Sequence, residues 1–254
     1  MSNSVRRVKT SDTVFEILGE VRESDGATLA ELGGRLEYAK STIHTHLTTL
    51  EESGFVVNDD GQYRLGLEFY RYGTAAKDRY TVAKVGHPVI EDLAAETAEV
   101  VWIVVEEHGW AYYLDNASGE RAVQTHAVVG ERTHLHTLAA GKLLLAHLPR
   151  GRVEEIIAER GLPRRTPDTF TDREALFEEL DRIRERGYAT SDQEAEPGVR
   201  GFAMPVLNED EIQAAVSVSG PANRLTKDRC LGEIKQDLLE ATNEIELRMR
   251  FPDR

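Results

Sequence analysis

The stretch from Tyr38 to Leu50, YAKSTIHTHLTTL, contains no Asp or Glu, although the whole chain carries a formal charge of −14 at pH 7. After the Tyr, its polar residues are Ser, Thr, His and a single Lys. Side chains of these types can contact base edges and phosphates in DNA, whereas a carboxylate would be repelled by a phosphate. The stretch is therefore a candidate DNA-binding surface, and the alternatives are an ordinary amphipathic helix or a surface that binds protein.

The DNA-binding hypothesis assigns contacts with DNA to Thr28, Lys40, Ser41, Thr42, His44, Thr45, Thr48, Arg64, Arg6 and Arg7. The Ser, Thr and His residues are candidate readers of base edges, and Lys40 lies at the start of the helix, where it can meet a phosphate. The arginines can add phosphate or minor-groove contacts. Residues 1–75 hold 8 Lys or Arg against 12 Asp or Glu, so no strong basic footprint supports the hypothesis. His46 is expected to face inward as a packed core histidine.

A second run without Asp or Glu extends over 22 residues, from Arg132 to Val153. In so acidic a chain, such a gap suggests a segment that binds an anion; the simpler alternative is a buried apolar helix that needs no charges. The sequence HTLAAGK within it is expected to start a helix, whose free backbone N–H groups form a site for a carboxylate. Further along, Ser217 and Ser219 are two apart on a predicted strand, so both hydroxyls point to one face and can donate to one bound group. The alternative for these serines is a satisfied buried pair.

Other chemistries have weaker support in the sequence. His126, His134 and His136 lie within eleven residues, but no Cys accompanies them, so we predict neither a metal nor a cofactor. Cys230 lies in a helical segment with acids around it, whereas a nucleophilic Cys needs a positive setting. Because no Gly-x-Ser-x-Gly elbow and no P-loop occurs either, we predict no enzymatic activity.

The composition bears on the compartment. A single Cys excludes an internal disulfide and is compatible with a reducing cytoplasm. No apolar run approaches the roughly 20 residues of a membrane span and no signal peptide is recognisable, so no membrane partner is expected. Arg makes up 24 of the 31 basic residues, and the acids number 45. An acidic, Lys-poor surface suits a salt-rich cytoplasm, in which counterions screen the self-repulsion.

Hydrophobic spacing predicts the elements that position these residues. Apolar residues recur at helical spacing in TVFEILGEV, in TLAELGGRL and in the opening stretch, and FVVNDDGQYRLG then indicates a strand, an Asp-Gly turn and a strand. Three helices and a hairpin predict a winged helix-turn-helix at residues 1–66. A linker helix is expected at 67–86, with a helix break at Gly86–Pro88. At 87–254, strands and helices mix without regular alternation, which favours an α+β domain with an antiparallel sheet whose third strand is AVQTHAVVG.

Three segments of the chain resemble the IclR family of transcriptional regulators. They are the winged-helix segment from Thr28 to Gly66, the segment LHTLAAGKLLLAHL, and the segment IRERGYATSDQEAEPGVRGFAMPVLNEDEIQAAVSVSGPANRL. The last segment is the most specific, because its Gly-Tyr-Ala, Pro-Gly-Val and Ser-x-Ser-Gly-Pro elements follow the family signature. The chain departs from the family at Thr45, since the family commonly has an Arg in the middle of the recognition helix.

The resemblance implies a ligand-responsive regulator without catalytic activity. Its winged helix would be joined by the linker helix to a GAF-like effector-binding domain, and a homodimer or homotetramer would bind a palindromic operator in double-stranded DNA. The effector would be a small organic acid from a catabolic route. The positions that match the family's ligand pocket are Thr137, Leu138, Ala139, Ala140, Gly141, Ser191, Asp192, Gly201, Ser217 and Ser219. The alternative is a metabolite-sensing adaptor whose winged helix binds protein.

Overall fold

A computed structural model describes residues 8–123 and 127–251. Arg6, Arg7 and His126, which the sequence singled out, lie outside the described residues. The helices are α1 (Lys9–Glu23), α2 (Leu29–Arg35), α3 (Lys40–Glu52), α4 (Glu68–Lys77), α5 (Thr81–Thr97), α6 (Ala139–His147), α7 (Arg150–Arg160), α8 (Arg173–Arg186), α9 (Lys227–Arg229) and α10 (Lys235–Arg250). The strands are β1 (Ala27–Thr28), β2 (Val56–Asp59), β3 (Gln62–Leu65), β4 (Val100–Glu107), β5 (Trp110–Ser118), β6 (Arg132–Thr133), β7 (Ala189–Asp192), β8 (Val199–Asn208) and β9 (Glu211–Pro221).

In the first compact unit, Met1–Ala76, helices α1, α2 and α3 pack around one apolar core. Ile17, Ile43 and Leu47 belong to this core and are fully buried, as their helical spacing predicts. Strands β1, β3 and β2 form a small antiparallel sheet. The turn between β2 and β3 has positive φ at both Asp60 and Gly61, which matches the twist of a tight hairpin. The predicted winged helix-turn-helix is thus confirmed.

The predicted helix break at Gly86–Pro88 is wrong. Helix α4 ends at Lys77, and α5 begins at Thr81 and continues through Pro88. Proline removes one backbone hydrogen bond from a helix, but α5 buries a continuous apolar face against the sheet of the second unit, and this burial holds the helix together. Gly86 serves close packing instead, since a Cβ at that position would lie 2.8 Å from Ile103 Cδ1.

The second compact unit, Lys77–Arg254, is built on a six-stranded antiparallel sheet with the order β6-β5-β4-β9-β8-β7. Helices α5 and α10 cover one face, and α6, α7 and α8 cover the other. The predicted α+β class with an antiparallel sheet is therefore confirmed. The predicted strand AVQTHAVVG is wrong for its described residues, which are irregular. A turn closed by the Glu131 N–H to Val128 O hydrogen bond lies here instead, and backbone pairing with Tyr113 of β5 begins only at Gly130 and Glu131, just before the edge strand β6.

Small side chains on the face under α6 leave room between the sheet and this helix. Direct pairing brings Ser191, Gly201 and Ser219 into one row across β7, β8 and β9. In the next row, Ala203 pairs with Ser217. Because none of these side chains is larger than Ser, the first turn of α6 lies above an open part of the sheet.

Candidate functional site

Helix α3 presents the carboxylate-free stretch to the surface. Its exposed polar residues include Lys40, Ser41, Thr42, His44, Thr45 and Thr48. Ile43, Leu47 and Leu50 of the same helix are buried, and their burial fixes which face points outward. The hydroxyls of Thr45 and Thr48 donate to carbonyl oxygens one turn earlier, at 2.9 and 3.0 Å, and their oxygens can still accept hydrogen bonds. The expectation for His46 needs correction, because its side chain is half-buried and not enclosed in the core.

The two other described candidates for DNA contact are held by protein atoms. The Thr28 hydroxyl accepts from Glu31 N at 3.3 Å, and Glu31 Oε2 accepts from Thr28 N at 2.8 Å, which is a capping box for α2. The Arg64 guanidinium donates to Asp25 O and to the side chain of Gln62. Both assignments remain predictions. The Arg64 guanidinium has five N–H donors, so it can contact a phosphate while it keeps these two partners.

A cavity lies between the sheet and the N-terminal end of α6, with a volume of about 140 Å³. Eight of the residues predicted to bind an effector line it: Thr137, Leu138, Ala139, Ala140, Ser191, Gly201, Ser217 and Ser219. They come from three separate parts of the chain, which the fold brings together.

Two predicted effector residues do not line this cavity. A Cβ at Gly141 would lie 2.1 Å from Leu135 O, so glycine is required there for the close approach of the preceding 3-10 turn. Asp192 lies at the end of β7 and binds Arg200 at 2.8 Å. Gly141 is therefore explained by packing and Asp192 by an ion pair, and neither is part of the cavity wall.

The inner end of the cavity offers hydrogen-bond donors without protein acceptors. Helix α6 has no side-chain cap, and no hydrogen bond from the amides of Ala139, Ala140 or Gly141 is found in the described part of the chain. The hydroxyls of Ser217 and Ser219 likewise find no protein partner among the residues described. Free amides at a helix N-terminus and paired hydroxyls are suited to an anion such as a carboxylate.

The neighbouring wall is fixed by packing and hydrogen bonds. Ser191 Oγ donates to Thr137 O at 3.1 Å, which ties β7 to the turn before α6. A Cβ at Gly201 would lie 3.4 Å from Ala139 Cβ and 3.5 Å from Ser219 Oγ. A longer side chain at position 201 would therefore take the space that a ligand needs.

An aromatic pair forms another wall. The rings of Trp102 and Tyr113 are 4.7 Å apart. Burial raises the pKa of Tyr113 above its ordinary value, so its hydroxyl stays protonated and able to donate. Strand pairing places Trp102 directly beside Ser217.

A buried ion pair lies under α6. Lys142 is 1% exposed and its Nζ donates to Glu194 Oε1 at 2.6 Å. Burial lowers the pKa of Lys142 and raises the pKa of Glu194, while the opposite charge of each partner acts against these shifts. The carbonyl of Glu194 also accepts from Thr169 Oγ1 at 2.7 Å. The Lys in the second carboxylate-free run is thus directed to a protein carboxylate and not to a ligand.

Sequence reasoning missed more than half of the cavity wall: Trp102, Val104, Tyr113, Ala127, Glu131, Thr133, Arg165, Ala195, Glu196 and Val199. For Trp102 the alternation within β4 was a usable signal, because the face of a strand follows from its parity. Arg165 lies in an irregular segment between α7 and α8, and no sequence pattern indicates the path of that segment.

The described residues give no support to a metal site or a membrane span. Over residues 8–123 and 127–251, no three His, Cys, Asp or Glu side chains come close enough to hold a metal ion. His136 Nε2 lies 3.1 Å from Pro163 O, and burial lowers the pKa of His136 to about 4, so the ring is neutral at pH 7. Within the same residues, no helix combines the length and apolar character needed to cross a membrane.

Two family models match the chain. The model described as "IclR helix-turn-helix domain" matches residues 12–60, and "Bacterial transcriptional regulator IclR C-terminal" matches residues 74–247. Among curated proteins, the chain is 35% identical to "Probable HTH-type transcriptional regulator ArcR" of Halobacterium salinarum, covering 96% of this chain and 95% of that protein. It is 30% identical to "Transcriptional repressor IclR" of Escherichia coli, covering 92% and 87%.

Solved structures of similar proteins share the fold. The Thermotoga maritima IclR structure has a TM-score of 0.81 and 27% identity, covering 96% of this chain and 100% of that one. An IclR homolog from Microbacterium hydrocarbonoxydans, complexed with 4-hydroxybenzoate, has a TM-score of 0.79 and 27% identity, covering 93% and 99%.

Proposed function

This chain belongs to the IclR family of transcriptional regulators, and from that premise we propose that it controls a catabolic operon in response to a small organic acid. The chain is a DNA-binding regulator and not an enzyme, which favours DNA over protein as the partner of the winged helix. As a regulator that must meet DNA, it would act in the cytoplasm. The proposal assigns α3 to the operator and the cavity beside α6 to the effector.

The cavity is the observation on which the effector assignment depends. Its inner end presents free α6 amides and the hydroxyls of Ser217 and Ser219, which suit a carboxylate. Its volume of about 140 Å³ is similar to that of an engineered cavity of about 150 Å³ that holds benzene. A short acid or a single-ring acid therefore fits, and the neighbour complexed with 4-hydroxybenzoate supports an acid of this size.

The DNA assignment depends on the exposed polar face of α3. We propose that two copies of the chain present this helix to the two halves of a palindromic operator, as a homodimer or homotetramer. The effector would change operator affinity only if it binds one arrangement of the two winged helices better than the other.

Two matched double variants test the division of labour between the units. Thr45→Ala/Thr48→Ala should weaken operator binding and leave acid binding intact, because its substitutions lie on the exposed face of α3. Ser217→Ala/Ser219→Ala should weaken acid binding and leave basal operator binding intact. Operator affinity would be measured by fluorescence anisotropy on the DNA upstream of the gene.

Acid binding would be measured by thermal shift over a panel of small organic acids. An acid present at 100 times its Kd should stabilise the native protein by about 2.7 kcal/mol. Full operator affinity in the threonine variant would contradict the α3 assignment, and an unchanged thermal shift in the serine variant would contradict the cavity assignment.

A further inference from the structure

Three charged side chains from three separate loops line the outer end of the cavity, and we call them the rim: Glu131, Arg165 and Glu196. Glu131 precedes β6, Arg165 lies between α7 and α8, and Glu196 lies between β7 and β8. Glu131 and Arg165 are exposed and Glu196 is half-buried, whereas Thr137 and Ser217 at the inner end are buried. The cavity therefore has a buried end that offers donors and an open end that offers charges.

The charges of the rim are not paired with one another. Within the described residues, neither carboxylate forms an ion pair, and the Arg165 guanidinium has neither an ion pair nor a hydrogen bond. The adjacent Arg164 shows the ordinary arrangement, since it donates to Pro167 O and to Thr171 Oγ1. All three rim residues line the same cavity as Tyr113, and the charge of each is close enough to influence the pKa of its phenol.

A neutral hydroxyl group on a ligand is the partner that this set can satisfy. A hydroxyl donates one hydrogen bond and accepts others, so it can donate to a rim carboxylate and accept from the Arg165 guanidinium. A second carboxylate at the same place would meet two negative charges and one positive charge. An unsubstituted apolar end would offer no hydrogen bond to Arg165 or Glu196, and Glu131 would keep only the hydrogen bond that it accepts from Val128 N at 3.3 Å.

We propose that the rim selects an effector that is a hydroxylated monocarboxylic acid. Its carboxylate lies at the inner end, against the α6 amides and Ser217, and its hydroxyl group lies between Glu131, Arg165 and Glu196. This inference rests on the proposed function, and it adds the chemical class of the effector and the residues that select it.

Isothermal titration of the full chain with two matched series of acids tests the selection. One series is benzoate, 4-hydroxybenzoate and terephthalate, and the other is pentanoate, 5-hydroxypentanoate and glutarate. In a series that binds, the hydroxy acid should bind about tenfold more tightly than the unsubstituted acid, as a hydrogen bond to a partly solvated charge allows. The dicarboxylate should bind least tightly. A dicarboxylate or unsubstituted acid that binds most tightly would overturn the rim assignment and leave the proposed function standing.

Variants separate selection by the rim from general binding. Glu131→Gln/Glu196→Gln should raise the affinity for the dicarboxylate about tenfold, and Arg165→Met should remove the preference for the hydroxy acid. Arg164→Met is the matched control and should change neither. Ser217→Ala should lower the affinity for all acids of a series by the same factor. If no acid of either series binds, the proposed effector class fails, and the inference fails with it.

Discussion

Helices α3 and α6 each contain a stretch without carboxylates, and in α3 the acids Glu51 and Glu52 follow that stretch; the polar side chains of the stretch are exposed in α3, whereas α6 lies in the core. On α3, Lys40 and the polar residues that follow it are exposed. On α6, every residue from Ala139 to Ala146 is buried, including Lys142. The two stretches are alike in lacking acids, but the polar residues of the first are exposed and Lys142 of the second is buried.

The difference shows that the absence of acids has two physical causes. At an exposed surface that binds a polyanion, a carboxylate lowers the affinity because it repels the negative charge. In a core, a carboxylate lowers the free energy of unfolding because the buried charge loses its hydration. In α6 the single charge is tolerated because Glu194, from a distant loop, lies 2.6 Å from Lys142 Nζ. A carboxylate-free run therefore becomes a binding signal only once its exposure is known.

Adding a carboxylate to each helix should give the largest difference in stability between variants of α3 and α6. Leu143→Glu places a charge at a position with 0% exposure in α6 and should destabilise the fold by about 4 kcal/mol or more. Thr45→Glu on α3 should change stability by no more than about 0.5 kcal/mol and lower operator affinity about tenfold to hundredfold. Urea unfolding and fluorescence anisotropy measure the two effects. Similar losses of stability in both variants would show that α3 is not a free surface.

Removing the lysine from each helix gives the next largest contrast. Lys142→Met leaves the Glu194 carboxylate buried without its counter-charge and should cost about 3–5 kcal/mol in urea unfolding. Lys142→Met/Glu194→Gln should recover much of this loss. Lys40→Met, at an exposed position, should unfold at the same urea concentration as the parent protein.

The pH dependence of the Lys142→Met variant follows from the same pair. Burial already raises the pKa of Glu194, and loss of Lys142 removes a charge that lowers it. The folded variant then binds a proton at a higher pH than the unfolded chain, so its stability falls as the pH rises above the ordinary Glu pKa. Its deficit relative to the parent protein should be smaller at pH 5 than at pH 8, and an unchanged deficit would contradict the assigned ion pair.

Two glycines distinguish close packing from open space on neighbouring helices. Gly141→Ala in α6 would place a Cβ 2.1 Å from Leu135 O and should cost roughly 2–3 kcal/mol. Gly151→Ala in α7 meets no atom within 4 Å and should raise stability by about 0.5–1 kcal/mol. Thermal unfolding of both variants measures the difference, and equal effects would show that the turn before α6 can move away.

The smallest expected effect concerns the salt dependence of operator binding. Lys40→Met should weaken binding to all DNA sequences by a similar factor, because a phosphate contact reads no base. The slope of log K against log[salt] should decrease in magnitude by about 0.9 if one phosphate contact is lost. Anisotropy titrations at several KCl concentrations measure the slope, and an unchanged slope would remove Lys40 from the interface.

The winged helix and the sheet class could be predicted because they depend on local spacing. The apolar period of α3 alone fixes that Ile43 and Leu47 face inward and Thr45 faces outward. The continuation of α5 through Pro88 could not be predicted, because it depends on burial against strands that are distant in sequence.

The cavity residues likewise fall into those that the sequence identified and those that it did not. The residues that follow a family signature, such as Gly201 and Ser219, were identified from the sequence and line the wall. The rim was missed, because three irregular segments bring it together and Arg165 carries no local signature. Sequence spacing records the geometry within an element, whereas the meeting of separate loops is a property of the folded chain.

The position of Gly201 has a practical consequence. It stands in the middle of its row, with Ser191 paired on one side and Ser219 on the other, and its missing side chain would point toward Ala139. With the cavity as the proposed effector site, replacing Gly201 in steps by Ala, Ser, Cys and Val would leave progressively less room for the ligand. Substitutions at this one codon could thus give a graded set of genetically encoded sensors for ligands of different lengths.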